Sequence, residues 1–177
     1  MKKLNNITAG LACLALSAGV MAQGVTDDEV VLGTSTALSG PAALWGVAAS
    51  RAAQIRFDMA NEDGGVHGRQ IRVVLEDHQY QVPIHVKAMN KLMNLDKVFA
   101  TFNVLGTPMN LATAETQFAN NVPMLFPMTT AKSVQEPEHD LKLTFGSSYY
   151  NQIRFAVGHF LATGRTSACV MYQDTAY

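Results

Sequence analysis

An open, doubly wound α/β sheet is the fold class that this sequence predicts, and three observations predict it. Short apolar runs rich in β-branched residues alternate with stretches of ten or more residues carrying apolar positions at helical spacing. Strands separated by such helical stretches are joined by crossovers, and so they lie parallel. The composition, 48% hydrophobic and 15% charged over 177 residues, is that of a globular chain able to bury a core.

The elements follow in order. EVVLGTSTAL, from Glu29, reads as a first strand ending near Thr34, and Ser39-Gly40-Pro41 turns the chain. Ala43 to Asn61 is predicted as a helix, with Ala48, Ala52, Ile55 and Met59 as its apolar stripe and Arg51, Arg56 and Asp58 on the surface. NEDGGVHGRQ breaks the chain, and Ile71 to Glu76 forms a second strand. Val82 to Leu95 is helical again, with Val86, Met89, Leu92 and Met93 on one side. KVFATF is a third strand, Asn110 to Asn120 a third helix, VPMLFP a fourth strand and LKLTF a fifth. YNQIRFAVGHFLATG is a fourth helix closing on Gly164, and TSACVMY a sixth strand.

In such sheets ligands bind beyond the carboxyl ends of the strands. That rule selects four loops: Ser35 to Leu44, Asp77 to Gln81, Asn103 to Thr107 and Pro127 to Ala131. The third carries Gly106-Thr107-Pro108. Thr107 has the chemistry of an N-cap and Pro108 suits the first helical position, while Gly106 allows close approach to the backbone. A helix N-terminus at the end of a strand is fit to receive a carboxylate. The fourth loop offers the hydroxyls and N–H groups of Thr129 and Thr130 and the carbonyl of Met128. Two hydroxyl-bearing loops on neighbouring strands suit a small polar head group held from both sides. Trp45, the sole tryptophan, follows the first loop and reads either as a core residue at a helix start or as a wall against an apolar ligand.

Other chemistries lack their signatures. No G-x-G-x-x-G follows the first strand, and there is no phosphate-cradling loop and no G-x-S-x-G elbow. The histidines at 67, 78, 85, 139 and 159 lack metal-ligand spacing, so neither metal nor cofactor is expected. DHQYQVPIH reads as a solvated surface, and the adjacent acids Glu76 and Asp77 as a polar loop start. The net charge is −1, with no block of basic residues, so no nucleic-acid partner is expected. Cys169, in an apolar run, is expected to be a buried thiol.

The N-terminus has a positive start at MKK, an uncharged apolar run too short to span a membrane comfortably, and Val20-Met21-Ala22. It reads as a secretory signal peptide cleaved after Ala22, which predicts a periplasmic protein.

The order of motifs resembles the exported solute-binding proteins of ABC importers, in the branched-chain amino acid (leucine/isoleucine/valine-binding) family. The matching pieces are VVLGTSTALSGPAALWG, ANEDGGVHGRQIRVVLEDHQY, NKLMN, FNVLGTPMNLA, NNVPMLFPMTTA, LTFGSSYYNQ and CVMYQDTAY. The resemblance implies a two-lobed type I periplasmic-binding-protein fold with doubly wound parallel sheets. Residues 1–22 would be the leader, 23–146 an incomplete first lobe and 147–177 the start of the second, so the chain is expected to be part of a longer protein. It further implies a non-enzymatic protein that captures a small molecule and delivers it to an ABC permease in the inner membrane. The ligand could be a branched-chain or other amino acid, or an aromatic or aliphatic acid. A ligand-sensing domain of the same fold, feeding a receptor or regulator, is the competing reading. Carried over residue by residue, the site comprises Trp45 as an aromatic cover, Leu105, Gly106 and Thr107 after the third strand, Met128, Thr129 and Thr130 after the fourth, and Tyr177 from the second lobe. Gly106-Thr107 and Met128 depart from the family's serine-rich loop and small residue.

Overall fold

The computed structural model describes residues 22–172 and residue 174. Ten elements alternate along the described residues: β1 (Glu29–Thr36), α1 (Ala43–Glu62), β2 (Gln70–Asp77), α2 (Val82–Asn94), β3 (Ala100–Phe102), α3 (Thr107–Ala119), β4 (Met124–Leu125), α4 (Lys132–Gln135), β5 (Lys142–Leu143) and α5 (Tyr149–Ala162). The five strands form one sheet in the order β2-β1-β3-β4-β5, with every pair parallel. β1 and β2 pair along their whole length, from Glu29 opposite Gln70 to Thr36 opposite Asp77.

The sheet grows leftward from β1 to β2 and rightward from β1 through β3. Right-handed crossovers therefore put α1 on one face and α2 and α3 on the other. Their divergence opens a crevice at the carboxyl ends of β1 and β3, where such sheets bind ligands.

The core lies under α2. Met89, Leu92 and Met93 pack with Val31, Val98 and Val122, and Val74 closes the edge. Burial of each such side chain contributes about 1.5–3 kcal/mol. α3 is pinned by Gln117, whose Nε2 donates to Thr101 Oγ1 (2.7 Å) and to the Pro123 carbonyl (3.0 Å).

α1 turns a different stripe to the sheet from the expected one. Ile55 and Met59 are 62% and 52% exposed. The inward stripe runs instead through Gly46, Ala49, Ala53, Phe57 and Ala60. Close approach decides this choice: a β-carbon on Gly46 would lie 2.0 Å from the Ala37 carbonyl oxygen, so only glycine fits where α1 passes the end of β1. Phe57 then reaches the sheet edge-on to Phe102, at 5.3 Å between ring centres.

Three further expectations are corrected. A short helix, α4, follows the fourth strand where none was predicted. Residues 166–172 form no strand, because a strand needs a hydrogen-bonding neighbour and the five described strands pair among themselves. Cys169, in that segment, is exposed. α5 buries no residue; it is capped by Ser148, whose hydroxyl accepts from the Asn151 amide at 3.2 Å.

Candidate functional site

Four loops meet at the carboxyl edge of the sheet and line an open cavity of about 610 Å³. Trp45, Leu105, Gly106, Thr107, Met128, Thr129 and Thr130, which sequence reasoning selected, all line it. Tyr177 lies outside the described residues. Pro41, Ala42, Tyr80, Phe145 and Tyr149 complete the wall. Tyr80 comes from the loop after β2, which the strand-end rule had singled out without naming a residue. Phe145 and Tyr149 carried no local signal; they arrive because the chain after β5 folds back over Thr130. There the Tyr149 amide donates to the Thr130 carbonyl at 3.1 Å, and Gln152 Nε2 donates to Thr130 Oγ1 at 3.3 Å.

The loops after β3 and β4 are coupled by backbone and side chain. Leu105 and Met128 continue the parallel pairing past the strand ends, and the Met128 amide donates to the Val104 carbonyl at 2.9 Å. Thr107 does not cap α3, contrary to expectation. The cap is Gly106, at φ 105° and ψ 134°, with no side-chain cap bond, and Thr107 is the first helical residue. Its hydroxyl is instead 2.6 Å from that of Thr129, whose Oγ1 also accepts from the Ala131 amide at 3.2 Å. The wall beside this buried hydroxyl pair is the first turn of α3, where N–H groups have no carbonyl partner within the helix. Among the described residues no charged side chain lines the cavity. A bound anion would therefore be met by hydroxyls, amides and the partial positive charge of α3.

The segment DHQYQVPIH, read from the sequence as a solvated surface, is exposed at Gln79, Gln81 and Pro83 but buries both of its histidines. His78 and His85 are both fully buried, edge-to-face at 5.5 Å. Seven positions separate them, yet the loop folds so that both rings turn inward at the sheet end. Asp77 does act as a loop start. Its Oδ1 accepts from the amides of Leu38 (2.9 Å), Ser39 (3.4 Å) and Gln79 (2.9 Å), and its Oδ2 from the Ser39 hydroxyl (2.6 Å). Burial pushes the Asp77 carboxyl up, but these hydrogen bonds together outweigh it and hold the group below its ordinary value.

His85 bridges β1 to α3. The Thr113 hydroxyl donates to the Met109 carbonyl (3.3 Å), so it accepts from His85 Nε2 (3.1 Å), and His85 Nδ1 accepts from the Ser35 hydroxyl (3.0 Å). This chain suits a neutral ring. Burial, and then the neighbouring His78, take His85 down to about 3. Among the described residues no cluster of His, Cys, Asp or Glu could hold a metal ion.

Comparison with known proteins places this geometry in context. A family profile described as periplasmic binding protein matches residues 29–177. Among solved structures, the chain is similar to a substrate-binding periplasmic protein from Ralstonia solanacearum, at 25% identity and a TM-score of 0.72, covering 77% of this chain and 38% of that one. It is also similar to a fatty acid ABC transporter substrate-binding protein from Thermomonospora curvata, at 26% identity and a TM-score of 0.74, covering 81% and 36%. The fold is shared with the branched-chain amino acid transporter substrate-binding protein LivJ of Streptococcus pneumoniae, solved with isoleucine, at 23% identity and a TM-score of 0.64, covering 68% and 34%. The chain thus spans a little over a third of the length of these structures. No curated protein matched.

Proposed function

The chain belongs to the periplasmic binding protein family, and from that premise we propose that it is the extracytoplasmic solute-binding component of an ABC importer. It captures a small carboxylate-bearing ligand between two lobes and delivers it to a membrane permease. Residues 23–146 form the first lobe and 147–177 begin the second. Residues 1–22 are the export leader.

The observation that carries this reading is the buried Thr107–Thr129 hydroxyl pair beside the first turn of α3, in a cavity whose wall includes the apolar side chains of Trp45, Leu105, Met128 and Phe145. A carboxylate takes the hydroxyls of Thr107, Thr129 and Thr130 and the amides of Thr107 and Thr130, the Thr129 amide being held by the Pro127 carbonyl at 2.8 Å, and Gly106 lets it approach the backbone. An apolar body lies against Trp45 and Leu105. The Met128 carbonyl is the acceptor for an α-ammonium group when the ligand is an amino acid, and Tyr177 closes the ligand from the second lobe. Ligand held by both lobes favours the closed form by as much as it binds that form more tightly, and the closed form is what a permease reads.

The test is a thermal-shift screen against the twenty amino acids, benzoate and its hydroxy derivatives, and straight-chain acids from acetate to octanoate. A ligand that binds only the folded state raises the melting temperature. A shift with at least one carboxylate, abolished when the acid is replaced by its primary amide, is expected. No shift with any acid would refute a carboxylate site.

A further inference from the structure

The cavity wall contains one residue, Tyr80, whose position depends on a group that does not itself line the cavity. Tyr80 and the preceding Gln79 both have left-handed backbone conformations, at φ 58° and 52°. Non-glycine residues occupy that region at a cost, and two in succession persist only when their surroundings hold them. Two side chains do so here: Asp77 accepts from the Gln79 amide, and His78 Nδ1 accepts from the Tyr80 amide at 2.9 Å. The other ring nitrogen, Nε2, lies 3.1 Å from the carbonyl oxygen of Leu105 in the loop after β3. A carbonyl only accepts, and a nitrogen that accepts an N–H carries a lone pair. Both contacts are satisfied together by one form only, the neutral ring with its proton on Nε2. The tyrosine ring this holds lies against the backbone of Gly106, since a β-carbon built there would be 3.1 Å from Tyr80 Cε2.

We propose that His78 is a positioning residue for the ligand site: as the Nε2–H tautomer it ties the loop after β2 to the loop after β3 and so keeps Tyr80 over Gly106. This rests on the cavity being the ligand site. A second proton on the ring has to sit on Nδ1, facing the Tyr80 N–H, where two donors meet and the loop must give way. Tyr80 then leaves the wall, and affinity falls on the acid side. The groups facing His78 that bear on its charge are Asp77 beside it, which favours the proton, and His85 at 5.5 Å; the ring of Tyr80 lies at 6.2 Å. Burial outweighs Asp77 and holds His78 below its ordinary value, so the acid limb lies below pH 6.5.

The experiment is calorimetric titration of the full chain with l-leucine, benzoate and octanoate from about pH 8 down to about pH 5, together with ¹⁵N chemical shifts of the His78 imidazole. The shifts should report a protonated Nε2 at neutral pH, and affinity for the bound probe should fall at least about tenfold as the ring titrates. His78→Phe should lose at least about tenfold at neutral pH. His78→Asn, whose Oδ1 can still accept from the Tyr80 amide, should bind within about threefold of the unaltered chain and show no acid limb. Should both variants fail to fold, the wild-type tautomer and acid limb decide the matter. An Nδ1–H tautomer, unchanged affinity in His78→Phe, or the same acid limb in His78→Asn would each overturn the assignment. If a probe binds and these variants behave as wild type, the positioning role alone falls. If neither these three probes nor any other acid of the thermal-shift panel binds the unaltered chain, the ligand-site reading fails and takes the positioning role with it.

Discussion

The hydroxyl oxygens of Thr107 and Thr129 lie 2.6 Å apart and join the loops after β3 and β4 across the floor of the cavity. Thr107→Val keeps the shape and removes this bond, leaving Thr129 Oγ1 bonded to the Ala131 amide. One neutral hydrogen bond contributes about 1 kcal/mol to stability. We therefore predict a small drop in melting temperature and a loss of ligand affinity of at least about tenfold. Equal dissociation constants for the variant and the parent would take Thr107 out of the site.

Thr130→Ala should also weaken binding by at least about tenfold, or about 1.4 kcal/mol, without unfolding the protein. Its hydroxyl accepts from Gln152 Nε2, so Gln152→Ala is the control that separates loss of a ligand contact from loss of this tether. Calorimetry should show the larger loss in Thr130→Ala. The reverse order would assign the effect to the tether.

Gly106→Ala combines a left-handed φ of 105° with a β-carbon about 3.1 Å from Tyr80 and Met109 side-chain atoms. Non-glycine residues are disfavoured there by more than about 1 kcal/mol. We expect lower stability in urea melts together with weakened binding, because relief of the clash displaces Tyr80. A variant as stable as the parent would show that the backbone relaxes freely at this helix start.

Trp45 is 66% exposed yet lines the cavity, so its indole reports on occupancy at little structural cost. A ligand found in the screen should shift Trp45 emission, and Trp45→Ala should weaken binding while leaving the melting temperature nearly unchanged. Full binding in the variant would leave the indole as a surface residue.

Stability should fall as the medium is acidified. His78 and His85 are both held below their ordinary 6.5, His85 at about 3. Below pH 6.5 the unfolded chain takes up protons that the folded chain refuses, so stability rises with pH in that window. The stability is intact above pH 6.5 and is lost as pH drops towards the folded-state values. Each histidine contributes a slope of up to about 1.4 kcal/mol per pH unit. Urea melts between about pH 6.5 and about pH 5, above the carboxylate range, should show it. A flat profile there would mean that both rings take up a proton in the fold as readily as in the unfolded chain.

The strand–helix alternation, the parallel sheet and the four loops at its carboxyl edge were legible in the sequence. β-Branched runs, helical spacing and glycine–proline punctuation are local signals, and chain connectivity then permits few arrangements. The residues of the Gly106-Thr107 and Met128-Thr129-Thr130 loops were legible for the same reason, since each lies a fixed distance past a strand. Tertiary packing decided what local chemistry left degenerate. α1 carries two apolar stripes, and only the close pass of Gly46 over Ala37 selects the one that faces the sheet. The Thr107 hydroxyl could cap its own helix or reach another loop, and the neighbouring β4 brings Thr129 near enough to win. A segment as polar as DHQYQVPIH looks solvated in one dimension. Its two histidines are buried all the same, because Ser35, Thr113, Leu105 and the Tyr80 amide, distant in sequence or turned back by the loop, supply every hydrogen bond that water would have given the imidazoles.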